Sequence, residues 1–394
     1  MRFTHPDGTT VHLAYCTNVH PAETLDGVLA QLTRYAEPVR HRLGIDRLGV
    51  GLWLSRPAVT ELTTAPGAVA RLRAELDARG LEVVTLNAFP YRGFHDRAVK
   101  KSVYRPDWSE PARLEHTLDC ARLLAALLPD DAARGSVSTL PLAWREPWTT
   151  DRADRVNRQL DRLAQGLAAL AADTGRPVRV GFEPEPGCVI ENTAQAARLL
   201  ADVDPRWLGV CLDTCHTAVV FEDAPTACAR LGEAGLPVVK AQVSCALAVD
   251  DPQDPAARAA LWEFAEPRFL HQTRESLRAR LLAVDDLPDA LGGALPGAGP
   301  WRVHFHTPLH ATPRPPLRST GNELLAALET LVGGPAALTD HLEVETYTWS
   351  VLPGGTGPGA RQSGLADGIA DELAWARDTL TRLGLKEGKH EVTR

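Results

Sequence analysis

The 394-residue sequence predicts an α/β protein closed into a (β/α)8 barrel, and three observations carry that expectation. Short runs of β-branched and apolar residues alternate with longer segments of helical period, the mark of βαβ units on a parallel sheet. Eight such runs occur in order, the strand number of that barrel. No GxGxxG loop follows the first run, which weighs against a doubly wound open sheet.

The strand candidates are VHLAYC (11–16), LGVGLWLS (48–55), EVVTLNAF (82–89), SVSTLPL (136–142), PVRVGFEPE (177–185), LGVCLD (208–213), VVKAQVS (238–244) and HLEVETYTW (341–349). After the first, Pro21 suits the opening turn of a helix whose apolar positions Leu25, Val28, Leu29 and Leu32 recur at helical spacing. Segment 151–174 repeats the pattern with Leu160, Leu163, Leu167 and Leu170 and stops at Gly175, a residue suited to the C′ position. Eight βα pairs need only about 250 residues, so the chain has length to spare for insertions. The stretch 246–310 is too long for a βα loop and reads as an insertion between the seventh and eighth strands. It holds helical-looking material around LWEFAEPRFLHQTRESLRARLL, the turn-rich GGALPGAGP and the strand-like WRVHFHTPLH (301–310). A glycine-rich loop, 351–363, follows the last strand, and the whole of 1–394 reads as one barrel domain.

Composition narrows the function. Apolar residues make up 44% and charged residues 23%, a globular balance. The net charge of -8, with no long Lys/Arg run, gives nucleic acid no electrostatic footprint. No run of about 18 apolar residues predicts a membrane span, and MRFTHPDGTTVHLAY has no apolar signal segment, so a cytoplasmic location is expected. The cysteines at 16, 120, 188, 211, 215, 228 and 245 have no CxxC spacing and are expected as buried thiols.

In such a barrel, polar residues at the C-terminal strand ends line one mouth. They cluster there: Asn18 and His20 after the first strand, Asn87 and Tyr91 after the third, Ser138 and Thr139 on the fourth, Glu183 and Glu185 on the fifth. Asp213 and His216 end the sixth, Gln242 and Ser244 the seventh, Glu343 and Glu345 the eighth. Carboxylates on apolar strands are costly to desolvate, and several meeting at one mouth repel unless a divalent ion joins them. A metal site at Glu183, Asp213 and Glu345 is therefore expected, with structural ion pairing as the alternative. Glu185 and Glu343 are expected at the solvated rim. His20 and His95 are expected either to meet substrate or to cap turns. In VHFH, His304 and His306 share a strand face; His304 reads equally as a core histidine, whereas His306 and His310 read as substrate contacts. The loop YRGFHDRAVKKSVYRPDW, with Arg92, Arg97, Lys100 and Lys101, is placed to close over the mouth; a phosphorylated substrate would meet those cations or the glycine-rich amides of 354–359.

The ordered set GFEPE, LDTCH, KAQVS and VETYTW resembles the xylose isomerase-like barrel superfamily of sugar isomerases and epimerases. The resemblance implies metal ligation by Glu183, Asp213 and Glu345, and contact of His216 with substrate hydroxyls. The seventh strand departs from it, with Gln242 where such epimerases usually carry a histidine ligand, a neutral oxygen donor that favours Mg or Mn among the candidates Mg, Mn, Co and Zn. The phrases TNVHPAET, LNAFPYRGFH, KKSVYRPDW, FEPEPGC, EPRFLHQTR, HFHTPL and VETYTWSVLP further resemble EboE-type metabolite traffic proteins of bacterial ebo operons. That likeness implies a sugar-like or cyclitol-like ligand and operon-encoded protein partners.

Together these readings lead to a divalent-metal-dependent isomerase or epimerase of a polyhydroxylated metabolite. Glu183, Asp213, Gln242 and Glu345 would hold the ion, Glu183 and Glu345 would move the proton, and His216, His306, Asn18, His20, Asn87, Tyr91, His95 and Ser244 would contact substrate. The rival reading is a carrier that keeps the pocket without turnover.

Overall fold

The computed structural model describes residues 1–278, 280–353 and 362–388, so residues 354–361 of the glycine-rich loop lie outside the described residues. A short strand β1 (Arg2–Thr4) precedes seven parallel staves: β2 (Thr10–Cys16), β3 (Leu48–Trp53), β4 (Leu81–Asn87), β5 (Gly135–Thr139), β6 (Val178–Phe182), β7 (Leu208–Asp213) and β8 (Val238–Val243). There follow β9 (Cys245–Val249), β10 (Thr273–Leu277), β11 (Arg280–Val284), β12 (Trp301–Thr307) and β13 (Arg318–Ser319), then the eighth stave β14 (His341–Val344) and a short β15 (Lys386–Glu387). The barrel closes where β14 pairs in parallel with both β8 and β2. Every predicted stave is present. The predicted ends at 185 and 345–349 overshoot because the backbone leaves the ladder at Phe182 and Val344, where the polar residues begin.

The intervening helices bury the faces their periodicity predicts. Thr24 caps the helix Leu25–Gln31, which buries Leu25, Val28 and Leu29. Thr149 caps Thr150–Thr174, which buries Leu160, Leu163 and Leu167 and ends at Gly175 with φ of 68°. An L-residue side chain is strained at that angle and glycine is not. All seven cysteines are buried and unpaired.

Between β8 and β14 a second sheet forms, ordered β11-β10-β12-β9-β13, with its own core of Leu247, Leu261, Leu287, Leu291, Trp301, Val303 and Phe305. The helical reading of 261–282 does not hold: the helix stops at Trp262, and Thr273–Leu277 pairs antiparallel with Arg280–Val284. Thr273, Arg274 and Glu275 pair with Val303, Arg302 and Trp301, and such tertiary pairing overrides a local helical pattern. The sheet also runs past residue 310 to Ser319.

Strand β12 orients the insertion. Trp301, Val303 and Phe305 fill the insertion core, so period two turns His304 and His306 the other way, toward the barrel mouth. No helix among the described residues is long and apolar enough to cross a membrane.

Candidate metal centre at the barrel mouth

Glu183 lies one residue beyond β6 and Glu345 one beyond β14; their N–H groups donate to Thr139 O (3.0 Å) and Val243 O (3.1 Å) of adjacent staves. Asp213 ends β7 and caps the short helix Thr214–Val219, its Oδ1 accepting from His216 N (2.9 Å) and Ser244 Oγ (2.8 Å). Gln242 on β8 stands in register with Asp213 on one side and Glu343 on the other.

One ligand oxygen from each of Glu183, Asp213 and Glu345 lies within 4.8 Å of the other two. Glu183 Oε2, Asp213 Oδ2 and both amide atoms of Gln242 are buried and make no hydrogen bond among the described residues. Leaving such atoms unpaired costs about 1–3 kcal/mol each, more for charged groups. Asn18 Nδ2 (2.6 Å) and Asn87 Nδ2 (3.1 Å) both donate to Glu345 Oε1 and fix its orientation. Burial, then the neighbouring carboxylates, push the Glu183 and Glu345 carboxyls well above the ordinary range. A divalent cation would cancel that repulsion and supply the missing partner, so the donor set fits a metal.

Glu185 and Glu343, expected at the rim, are instead buried, Glu343 completely. The reason is period two: residues 343 and 345 share one face of the stave, and that face points inward. Below the cluster Glu343 pairs with Lys240, itself fully buried. Burial alone would lower the Lys240 ammonium, yet the Glu343 charge holds it above its usual range. Gly51 makes room, since a Cβ there would sit 1.4 Å from Glu343 Oε1. Glu185 Oε1 accepts from Tyr104 Oη (2.7 Å) and Gln272 Nε2 (3.3 Å), and burial nevertheless raises its carboxyl to about 8.

Three histidines stand over the carboxylates. His216 Nδ1 donates to Pro184 O (3.0 Å), His304 Nδ1 to Gln272 Oε1 (2.8 Å) and His306 Nδ1 to Glu345 O (2.7 Å). Desolvation lowers all three, His216 to about 4. His304, left open as a core histidine, lines the mouth.

Other expected contacts sit elsewhere. His20 stacks on Tyr35 (centroids 4.5 Å apart) and meets Tyr15 Oη at 3.1 Å, away from the carboxylates. Tyr91 packs on His116 outside the cavity (5.0 Å), His95 Nε2 holds Asn18 O (2.7 Å), and His310 is exposed beside Trp349. Ser244 Oγ donates to Asp213 Oδ1 and so orients that carboxylate.

The cavity encloses about 50 Å³ and is roofed by Phe94, Val99, Tyr104, Phe269, Leu270 and Tyr347. Sequence reasoning gave no site role to Tyr104, Phe269 and Tyr347, although each lies in a phrase that carries the resemblance (KKSVYRPDW, EPRFLHQTR and VETYTW), because they meet only through the insertion. The expected lid loop is clasped to that insertion: Lys100 Nζ pairs with Asp286 (2.5 Å) and Lys101 Nζ with Asp285 (3.0 Å).

Among solved structures, the D-psicose 3-epimerase of Clostridium cellulolyticum H10 with D-tagatose matches with a TM-score of 0.50 at 12% identity, over 93% of this chain and 99% of that one. A sugar phosphate isomerase/epimerase-type protein of Anabaena variabilis matches with 0.49 at 14% identity, over 95% and 99%. A probable 3-DHS dehydratase of petrobactin synthesis from Bacillus anthracis matches with 0.45 at 10% identity, over 93% and 98%. At such identities these likenesses concern the fold. No curated protein sequence matches the chain. Residues 41–247, more than half of the chain and the part that carries Glu183, Asp213 and Gln242, match the family model described as the xylose isomerase-like TIM barrel, and the chain belongs to that family.

Proposed function

We propose that the chain is a divalent-metal-dependent isomerase or epimerase of a sugar-like or cyclitol-like polyol, acting in the maturation or traffic of a small metabolite as the EboE-type phrases imply. The observation that carries this reading is the convergence of buried oxygen donors from Glu183, Asp213 and Glu345, with Gln242 beside them, of which Glu183 Oε2, Asp213 Oδ2 and the Gln242 amide have no hydrogen-bond partner among the described residues. Those residues suit Mg or Mn, and the bound ion would polarise adjacent hydroxyl and carbonyl oxygens of the substrate.

The remaining work falls to side chains. Glu183 and Glu345 approach from staves separated by β7 and β8, so one carboxylate takes the proton from carbon and the other can return it. Asn18 and Asn87 occupy Glu345 Oε1, which leaves Oε2 for the proton. The roof of Phe94, Phe269 and Tyr347 excludes water. The cavity is far smaller than the roughly 300–1,000 Å³ of ordinary ligand pockets, so the roof has to shift to admit a polyol. Lys100 and Lys101 are taken by aspartates, which favours an uncharged polyol over a phosphorylated one.

The test is proton exchange of candidate sugars in heavy water with Mg or Mn present. Glu183→Gln and Glu345→Gln are each expected to lower exchange by about 10²–10⁴-fold. Unchanged exchange in both variants overturns the reading. The neutral Gln242 ligand favours one rival, a carrier: polyol binding by wild type without any exchange would select it.

A further inference from the structure

The loop after β4 roofs the cavity and also reaches back to the first stave. Gly93 turns it with φ of 68°, an angle that suits glycine, while its N–H donates to Glu23 Oε1 (2.7 Å). The next two residues serve different partners. Phe94 joins the roof, its ring 5.2 Å from that of Phe269 and 5.3 Å from that of Tyr347. His95 instead brings Nε2 to within 2.7 Å of Asn18 O. A carbonyl oxygen can only accept, so His95 carries a proton on Nε2 and donates it. Burial lowers this imidazole to about 4, so the ring donates in its neutral form.

Asn18 is the middle residue of the tight turn Thr17–Val19 that follows β2. Its Nδ2 donates to Glu345 Oε1 (2.6 Å), whereas its Oδ1 is buried and has no hydrogen-bond partner among the described residues. The amide is thus held by the carboxylate alone, and its aim depends on where the backbone of the turn stands. His95 fixes that backbone. Trp53 braces the same pair of segments: its N–H donates to Thr17 Oγ1 (2.8 Å), its Nε1 to Pro90 O (2.9 Å), and its ring lies 5.7 Å from that of His95. The second donor to Glu345 Oε1, Asn87 Nδ2 (3.1 Å), is tied to the roof loop as well, since Asn87 Oδ1 accepts from Phe89 N (2.9 Å). Both amides that hold Glu345 are therefore steadied by the segment that covers it.

We propose that His95 is a positioning residue: by holding the Asn18 carbonyl it aims the Asn18 amide at Glu345 Oε1, and so sets the orientation of the Glu345 carboxylate from the roof loop. The assignment rests on the metal-binding and proton-moving role given to Glu345 above. It adds a mechanical link, because a shift of the loop at Phe94 is carried one peptide further to His95 and from there to the carboxylate. Outer partners of metal ligands are worth about 10–100-fold in metal affinity. His95 acts one step beyond Asn18, and Asn87 remains as a second tether, so its share falls at the lower end, about 10-fold.

The experiment is manganese binding by the full chain, read from the electron paramagnetic resonance of free Mn(II). His95→Ala is expected to weaken binding about 10-fold, and His95→Gln, whose amide N–H can reach the same carbonyl, to restore most of it. His95→Phe keeps the ring against Trp53 and Phe94 without the donor, and gives the same reading where the alanine variant does not fold. Asn18→Ala retains the backbone carbonyl and loses only the route to Glu345. Adding His95→Ala to it is therefore expected to cost nothing further. A histidine that merely holds the loop would weaken manganese as much in that background as in wild type, so additive losses overturn the proposal. Wild-type affinity in both His95→Ala and His95→Phe overturns it too, as does an equal loss in His95→Gln. These results leave the isomerase reading standing. Manganese alone is the probe, so absence of proton exchange sinks that reading without touching this test, whereas wild type that binds no manganese removes the carboxylate site and both proposals with it.

Discussion

The barrel half of the centre supplies oxygen, from Glu183, Asp213, Gln242 and Glu345 at or just past the ends of parallel staves. The insertion half supplies nitrogen, from His304 and His306 on one face of an antiparallel strand. Their supports differ too. Glu183, Asp213 and Glu345 sit above a buried Lys240–Glu343 ion pair, whereas the histidines are carried by a thin sheet with a small core of its own. The parallel staves set where oxygen donors converge, and the insertion adds a roof and a second kind of donor to the same mouth.

The largest change should come from the foundation of the barrel half. Lys240→Met leaves Glu343 charged, buried and unpaired, and should cost about 3–5 kcal/mol in urea unfolding. Lys240→Met combined with Glu343→Leu removes both charges and should recover most of that loss. Equal stability of the single and double variants would show that the pair is not what supports the staves.

The insertion half has its own anchor. Glu275 is fully buried and accepts from Gly297 N (2.8 Å), Ala298 N (2.8 Å), Gly299 N (3.0 Å) and Trp301 Nε1 (3.0 Å). Glu275→Ala strands those donors and should cost roughly 2–3 kcal/mol, felt locally. Hydrogen exchange should then speed up in β10 and β12 with the staves still protected. Uniform acceleration across both regions would mean that they unfold as one unit.

A comparable effect is expected at the seam. Glu372 accepts from Leu309 N (3.1 Å) after the insertion, and from Thr346 Oγ1 (2.6 Å) and Trp349 Nε1 (3.0 Å) after the last stave. Burial outweighs these bonds and lifts its carboxyl to about 7. The folded state then holds a proton that the unfolded chain has already released, so stability falls as pH rises from the ordinary carboxylate range through about 7. The loss is on the order of 3 kcal/mol. Glu372→Gln should flatten that slope in melts from pH 5 to 8; an unaltered slope would place its origin elsewhere. The smallest effect belongs to His310, exposed outside the cavity: His310→Ala should shift stability by less than about 0.5 kcal/mol and leave metal binding alone.

The same division explains how much could be read in advance. The staves and their order follow from the apolar runs, because a parallel sheet covered by helices needs them. Glu183, Asp213 and Glu345 were legible because a carboxylate ending such a run has few inexpensive fates. Glu343 was misjudged by overlooking that it shares a face with Glu345. His304 was harder. Alternation in WRVHFHT does place it opposite Trp301, Val303 and Phe305, but nothing local says which face of the insertion meets the barrel. Tyr104, Phe269 and Tyr347 come together only once β10 and β11 pair in place of the expected helix, a choice made by pairing of β10 with β12.

The central claim is that oxygen atoms of the fifth, sixth, seventh and eighth staves enclose one divalent ion. Anomalous scattering from crystals grown with manganese tests it most directly. A peak within about 2.0–2.5 Å of oxygens from Glu183, Asp213, Gln242 and Glu345 is expected. A map with manganese only on the histidines, or with none at the mouth, would contradict it.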